Sequence, residues 1–283
     1  MEVSYQYDGS FDGFLSCVFA VYAYKEIPAG FCSGEDLSLF DARVIITNPE
    51  HASRVLRKVS ALSPDAALLL RHGFLTCLPE KEMHLFHLIA ALLKDGPAFL
   101  RNRANDVLFP VARAVQHLYG EVHLLKGFTR FSDYSGVLGG EIQPKNRVLP
   151  LLGGHFRARL INDPFFLYDR THREAVFHTP GENLVLRPLE YVQAAPPSPE
   201  EAQFRRLWKQ FYDTVAIRER YNPRCRMSQM PKRYWGMMTE FQGEAYFKPQ
   251  SSPEAVSAPG VPGGIPAPAT PPPLGPSVPA SIL

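Results

Sequence analysis

From residue 249 to residue 283 the chain carries eleven prolines, no lysine or arginine, no aromatic residue and a single acid, Glu254. Such a segment cannot bury enough apolar surface to offset the entropy of ordering, so a disordered Pro-rich tail is expected over 249–283. Every packed element must then come from residues 1–248. That length, in a chain that is 45% hydrophobic and 12% aromatic, can bury a full core, and one domain is expected there.

Residues 3–7 are β-prone and run into Asp8-Gly9, a turn signal; Ser10 then stands where a helix N-cap belongs, with Asp12 in the first turn. Phe11, Phe14, Leu15, Val18, Phe19 and Tyr22 give the following helix a wide apolar face. Residues 27–41, with Pro28, Gly30 and Gly34, read as a loop, and 42–47 as a strand. Helices are expected from Pro49, from Pro64, over 80–94 and over 97–126, the last kinked or split at Pro110. Further strands are expected at 137–142, 164–168, 174–178 and 184–186, with a short helix through His155 and Arg159. The class is α+β: a helix-rich body, a small mostly antiparallel sheet and a basic C-terminal helix packed across it.

That basic helix opens a segment of unusual charge. Phe204, Leu207, Trp208, Phe211 and Val215 recur at spacings of three and four, which places Trp208 in the expected core. From 202 to 233 nine Lys/Arg stand against Asp213 and Glu219, a surplus of seven in a chain whose total is +2. Arg218, Arg220, Arg224, Arg226, Lys232 and Arg233, interleaved with Tyr221, Tyr234 and Trp235, suit phosphate neutralisation with stacking on exposed bases. The competing reading is a solvated helix face above a buried Trp-Tyr pair.

Signals for chemistry are thinner. Asp8, Asp12, Asn146, His155, Asp169 and His172 are the carboxylate, amide and imidazole groups that general acid-base work would draw on, but no D-x-D or nucleophile-base spacing fixes a role. Asp8 and Asp12 read first as turn and cap residues, with Asp8 at a strand end as the sharper alternative. His84 and His87 resemble half of a metal site without the other half, so no metal and no cofactor is expected. Neither phosphate-loop pattern is present at Gly139-Gly140 or Gly153-Gly154. Cys17, Cys32, Cys77 and Cys225 form no C-x-x-C pair and read as free thiols of a reducing compartment. With no leader pattern and no long apolar run, a soluble cytoplasmic protein is expected.

Three stretches, YDGSFDGFLSCVF at 7–19, NRVLPLLGGHFRARL at 146–160 followed by PFFLYDRTHREAVFH, and LWKQFYDTVAIRERYNPRCRMSQMPKRYWGMMTEF at 207–241, carry a resemblance. Together they are similar to a family of bacterial proteins described as probable DNA metabolism proteins, built on a domain of unknown function. The resemblance covers about residues 3–241. It implies DNA as a partner, together with a radical S-adenosylmethionine protein and a uracil-DNA-glycosylase-like protein, and it carries over no catalytic residue. No attached glycosylase-like domain is expected, and the C-x-x-x-C-x-x-C spacing of a radical enzyme does not occur in these residues. Three functions stay open: a nucleic-acid-binding accessory of a base repair or modification system, a glycosylase- or nuclease-like enzyme, and a protein-interaction scaffold.

Overall fold

The computed structural model describes residues 2–33, 42–102, 105–192, 198–215, 217 and 222–241. The expected tail, 249–283, lies outside the described residues.

Strand β1 (Glu2–Tyr7) is central in a three-stranded parallel sheet, flanked by β2 (Ile27–Ser33) and β3 (Ala42–Val44). Helix α1 (Phe11–Tyr24) connects β1 to β2; Ser10 caps it by accepting from the Gly13 N–H. The segment expected as a loop therefore contains an edge strand. Pro28 is tolerated because an edge strand needs its ladder hydrogen bonds on one side only, and the register shifts beside Gly30.

Three helices follow and join α1 and this sheet in one hydrophobic core. α2 (Pro49–Leu62) is capped by Asn48, α3 (Pro64–Phe74) by Ser63, and α4 (Lys81–Asp95) follows. A 3-10 turn spans Pro97–Arg101, and α5 begins only at Leu108, running to Phe128. Pro110 thus falls in the first turn of α5, where its missing N–H removes no helical bond. The expected long kinked helix is resolved into two pieces by this position.

The second sheet has the order β4-β5-β6-β7-β8, from β4 (Phe131–Asp133), β5 (Leu138–Ile142), β6 (Phe165–Asp169), β7 (Glu174–His178) and β8 (Val185–Pro188). α6 (Leu149–Arg159) is the crossover that makes β5 and β6 parallel; the other pairs are antiparallel. The fold is α+β, and its strand pairing is not purely antiparallel. Gly139 is required on β5 because a Cβ there would come within 2.5 Å of the Phe166 and Tyr134 rings.

The buried side chains form two clusters. One, around Tyr5, Phe14, Leu70 and Leu85, lies under the parallel sheet; the other, around Leu118, Leu149, Phe165 and Met238, lies under the mixed sheet. α5 serves both, with Val111 in the first and Leu118, Val122 and Leu125 in the second.

The basic helix, α7 (Pro199–Val215), contributes no buried residue. It lies against edge strand β4, where Glu201 accepts from the Asp133 N–H at 3.3 Å and Arg205 donates to Ser132 Oγ. Trp208 is 42% exposed, not in the core. Its Nε1 donates to Glu240 at 3.1 Å, and this polar anchor holds one edge of the ring near the surface. Helix α8 (Pro223–Gln229) and 3-10 turns at Lys232–Met237 and Thr239–Phe241 close the described chain. Among the described residues no helix is long and apolar enough to cross a membrane.

Candidate functional site

The best-formed polar group sits where β6 turns into β7. Asp169 closes one strand, Glu174 opens the other, and the two are register partners. Between them the chain makes a tight loop, with Arg173 in the left-handed region at φ 52°. Asp169 is fully buried; its Oδ1 accepts from the N–H groups of Thr171 at 2.8 Å and His172 at 3.2 Å. Its Oδ2 accepts from His172 Nδ1 at 2.6 Å. A carboxylate that fixes Nδ1–H leaves Nε2 as the imidazole's proton acceptor, the orientation a general base needs.

Glu174 is buried beside this pair. Its Oε2 accepts from Arg147 Nη1 at 2.7 Å, while Oε1 is buried without a hydrogen-bond partner. Burial pushes the Glu174 carboxyl above its ordinary value; Arg147 and His172 pull it down and Asp169 adds to the rise. Ligand atoms of Asp169, His172 and Glu174 all lie within 4.8 Å of one another. Two carboxylates and an imidazole are a donor set for a borderline divalent ion. The expectation of no metal rested on sequence spacing, which does not register a trio folded across a hairpin. His84 and His87 join no such group among the described residues.

Arg147 is held in place from behind. Glu121, in the middle of α5, is 2% exposed. It accepts from the Lys145 N–H at 3.0 Å, the Asn146 N–H at 2.9 Å and Asn146 Nδ2 at 2.7 Å, and pairs with Arg233 at 3.0 Å. Asn146 Oδ1 takes the Cys77 N–H at 2.9 Å, and the Arg147 N–H donates to the Leu75 carbonyl at 2.9 Å. One buried acid therefore fixes the loop that presents Arg147 to Glu174. Asn146, a candidate for chemistry in the sequence, is a structural link here.

Residues 79–240, more than half of the chain, match the model of a family described as a domain of unknown function, DUF4130. The chain belongs to the DUF4130 family. Its matched segment contains Glu121, Arg147, Asp169, His172 and Glu174, so the whole hairpin centre is a feature of the DUF4130 portion. No curated protein matches the chain.

The expected nucleic-acid residues of the DUF4130 segment are dispersed. Arg218 and Arg220 lie outside the described residues. Arg224 and Lys232 are exposed. Arg226 sits over the Trp235 ring at 4.9 Å and the Phe241 ring at 5.7 Å. Trp235 itself is stacked on Phe241, with centroids 4.5 Å apart, and donates Nε1 to the Met230 carbonyl at 3.0 Å. Arg233 is committed to Glu121. Tyr234 is 3% exposed, and burial followed by the Glu121 charge pushes its hydroxyl up to about 12. Two corrections follow: Tyr234 is core and cannot stack on a base, and Arg233 is charge-compensated within the fold. Within the 3-10 turn at 232–237, Tyr234 enters the second core beside Met238, and its neighbour Arg233 reaches Glu121.

The remaining candidates are apart from the hairpin. Asp8, ahead of the matched segment, stands at the C-terminal end of β1 beside a cleft of about 410 Å³ lined by residues 6–8 and 44–47. Its carboxylate accepts from the Ser10 N–H and Oγ and from Thr47 Oγ1, at 2.9, 2.6 and 2.7 Å. Burial raises its pKa, these hydrogen bonds lower it, and the net displacement is downward. Asp8 thus works as the turn acceptor. Asp12 lies in the exposed first turn of α1. His155 packs edge-on against Phe156, and burial, then Lys126 and Arg159, lowers its pKa. Glu174 and Arg147 were missed by sequence reasoning; the one available signal was D-R-T-H-R-E, an acid on each side of an expected hairpin turn.

Proposed function

We propose that this chain acts on nucleic acid in DNA metabolism or repair, with Asp169, His172 and Glu174 as its reactive centre. The observation that carries this reading is the 2.6 Å contact between buried Asp169 and His172 Nδ1. It leaves Nε2 to take a proton from water as the water attacks a sugar carbon and the bond to the base breaks, or attacks phosphorus and a phosphate ester bond breaks with its oxygen leaving. Cationic groups around the hairpin support an anionic substrate. Arg147 bonds Glu174, and Arg170 and Arg173 flank His172 in the loop. The outer partners of those two, Glu141 and Glu190, are solvent-exposed acids at 3.2 and 3.5 Å, so a phosphate displaces them at small cost.

Arg224 and Lys232 favour a second reading, binding without chemistry. Both are exposed and make no ion pair among the described residues. The two readings separate in one experiment on labelled single- and double-stranded oligonucleotides, with and without deoxyuridine, in the presence and absence of Mg²⁺ or Mn²⁺. Binding that weakens with salt is expected, with slow base release or strand scission that His172→Ala reduces by about 10²–10⁴-fold. Binding without turnover leaves only the accessory reading; no binding at low salt overturns both.

A further inference from the structure

Between the C-terminal half of α1, α2 and α4 lies a pocket that the hairpin centre does not use. It has a volume of about 340 Å³ and is walled by Val18, Phe19, Val55, Val59, Ile89 and Leu93. Two cations stand in its lining, Arg54 and Lys58, four residues apart on one face of α2. Both are exposed and make no ion pair among the described residues. Arg54 lies over the Phe19 ring, 5.6 Å from its centroid, and His51 stacks on the same ring with centroids 4.0 Å apart. Tyr22 and Leu93 stay 47% and 38% exposed, so apolar surface continues to the pocket's mouth.

We propose that this pocket binds an amphipathic anion, a small molecule with an apolar body and one acidic head. Apolar walls remove the body from water, and the guanidinium of Arg54 with the ammonium of Lys58 takes a carboxylate or phosphate head. The volume falls at the small end of ligand pockets, about 300–1,000 Å³. At about 30 Å³ per water-sized group it holds roughly ten such groups, the size of a ten-carbon chain. A cationic pair beside an apolar cavity discriminates: a neutral ligand of the same shape gains the burial and forgoes the charge-assisted bonds.

The test titrates full-length protein with decanoate and with decan-1-ol by calorimetry, and follows mass against concentration by light scattering. Saturable one-site binding of decanoate is expected, with decan-1-ol about tenfold weaker or more. Arg54→Gln/Lys58→Gln, two surface changes, should lose that advantage for decanoate and leave decan-1-ol unchanged. Ala23→Phe, which adds a ring at the exposed lining position, should weaken both. The proposal is overturned if decanoate does not saturate, or if the double variant binds it as the wild type does. It is also overturned if mass rises with concentration and Ala23→Phe abolishes that rise, since the pocket would then be a contact between two copies.

Discussion

Asp169 and Glu174 face each other as register partners at the mouth of the β6–β7 hairpin, and among the described residues only Glu174 has a guanidinium on it. Burial and the neighbouring Asp169 raise the Glu174 carboxyl despite Arg147. Between the ordinary value of 4.5 and the raised one, the folded chain holds a proton that the unfolded chain has released. The stability this group contributes therefore falls as pH rises through that window. Glu174→Gln is neutral throughout and removes this component. Urea unfolding should show the variant gaining on the wild type as pH rises above 4.5; a difference that does not change with pH contradicts the raised value.

Glu121 ties two distant segments to one helix, the 145–147 loop and the turn at 232–237. Glu121→Gln keeps one acceptor but leaves Arg233 without its charge partner and part of the loop without acceptors. A loss of about 1–3 kcal/mol is expected. Hydrogen exchange should accelerate at both segments together, and faster exchange at only one of them would show that Glu121 does not couple them.

Gly13 tests how tightly the Asp8 turn is built. Alanine is favoured over glycine inside a helix by about 1 kcal/mol. Here, however, the added Cβ meets Asp8 Oδ1 at 2.2 Å, Thr47 Oγ1 at 2.8 Å and the Tyr7 ring at 2.9 Å. The clash wins, and Gly13→Ala should destabilise by about 1–3 kcal/mol in denaturant unfolding. An unchanged or raised midpoint would mean the turn relaxes freely.

Local chemistry was legible in the sequence, and non-local partnership was not. Ser10 caps α1 where its spacing puts it, and α2 and α3 begin at Pro49 and Pro64 as expected, because a helix start is decided within a few residues. The β6–β7 hairpin was legible for the same reason. Residues 27–33 were not, since Pro28 and Gly30 weaken a strand signal that parallel pairing to β1 restores. Glu174 was invisible because an acid at a strand end reads as solvent-facing until its cross-strand neighbour is known. The periodic face of α7 says what a helix can bury, whereas Phe204, Leu207 and Phe211 remain 68%, 52% and 58% exposed.

Trp208 puts a number on that last difference. A core tryptophan cut to alanine costs about 3–5 kcal/mol. Trp208 offers a hydrogen bond to Glu240, a place under the Arg130 guanidinium at 5.6 Å and a stack on Phe211 at 5.8 Å. Trp208→Ala should therefore cost only about 1–1.5 kcal/mol. A loss above about 3 kcal/mol would return the residue to the core.

Asp169→Asn separates the structural task of this side chain from its chemical one. As an amide it can still accept the Thr171 and His172 N–H groups on Oδ1, so the loop keeps its shape. The atom facing His172 Nδ1 becomes an NH₂, which donates. Nδ1 must then be the bare nitrogen, and the proton moves to Nε2, where it blocks acceptance of another. In a serine protease triad the same change lowers turnover by about 10⁴-fold through the wrong tautomer, and a loss of that order is expected for any reaction that His172 serves. The tautomer is readable without a substrate: nitrogen NMR of the His172 ring should show protonated Nδ1 in the wild type and protonated Nε2 in the variant, with unfolding midpoints nearly equal. The same tautomer in both proteins would leave Asp169 as a hairpin acceptor alone and remove His172 from the role of base.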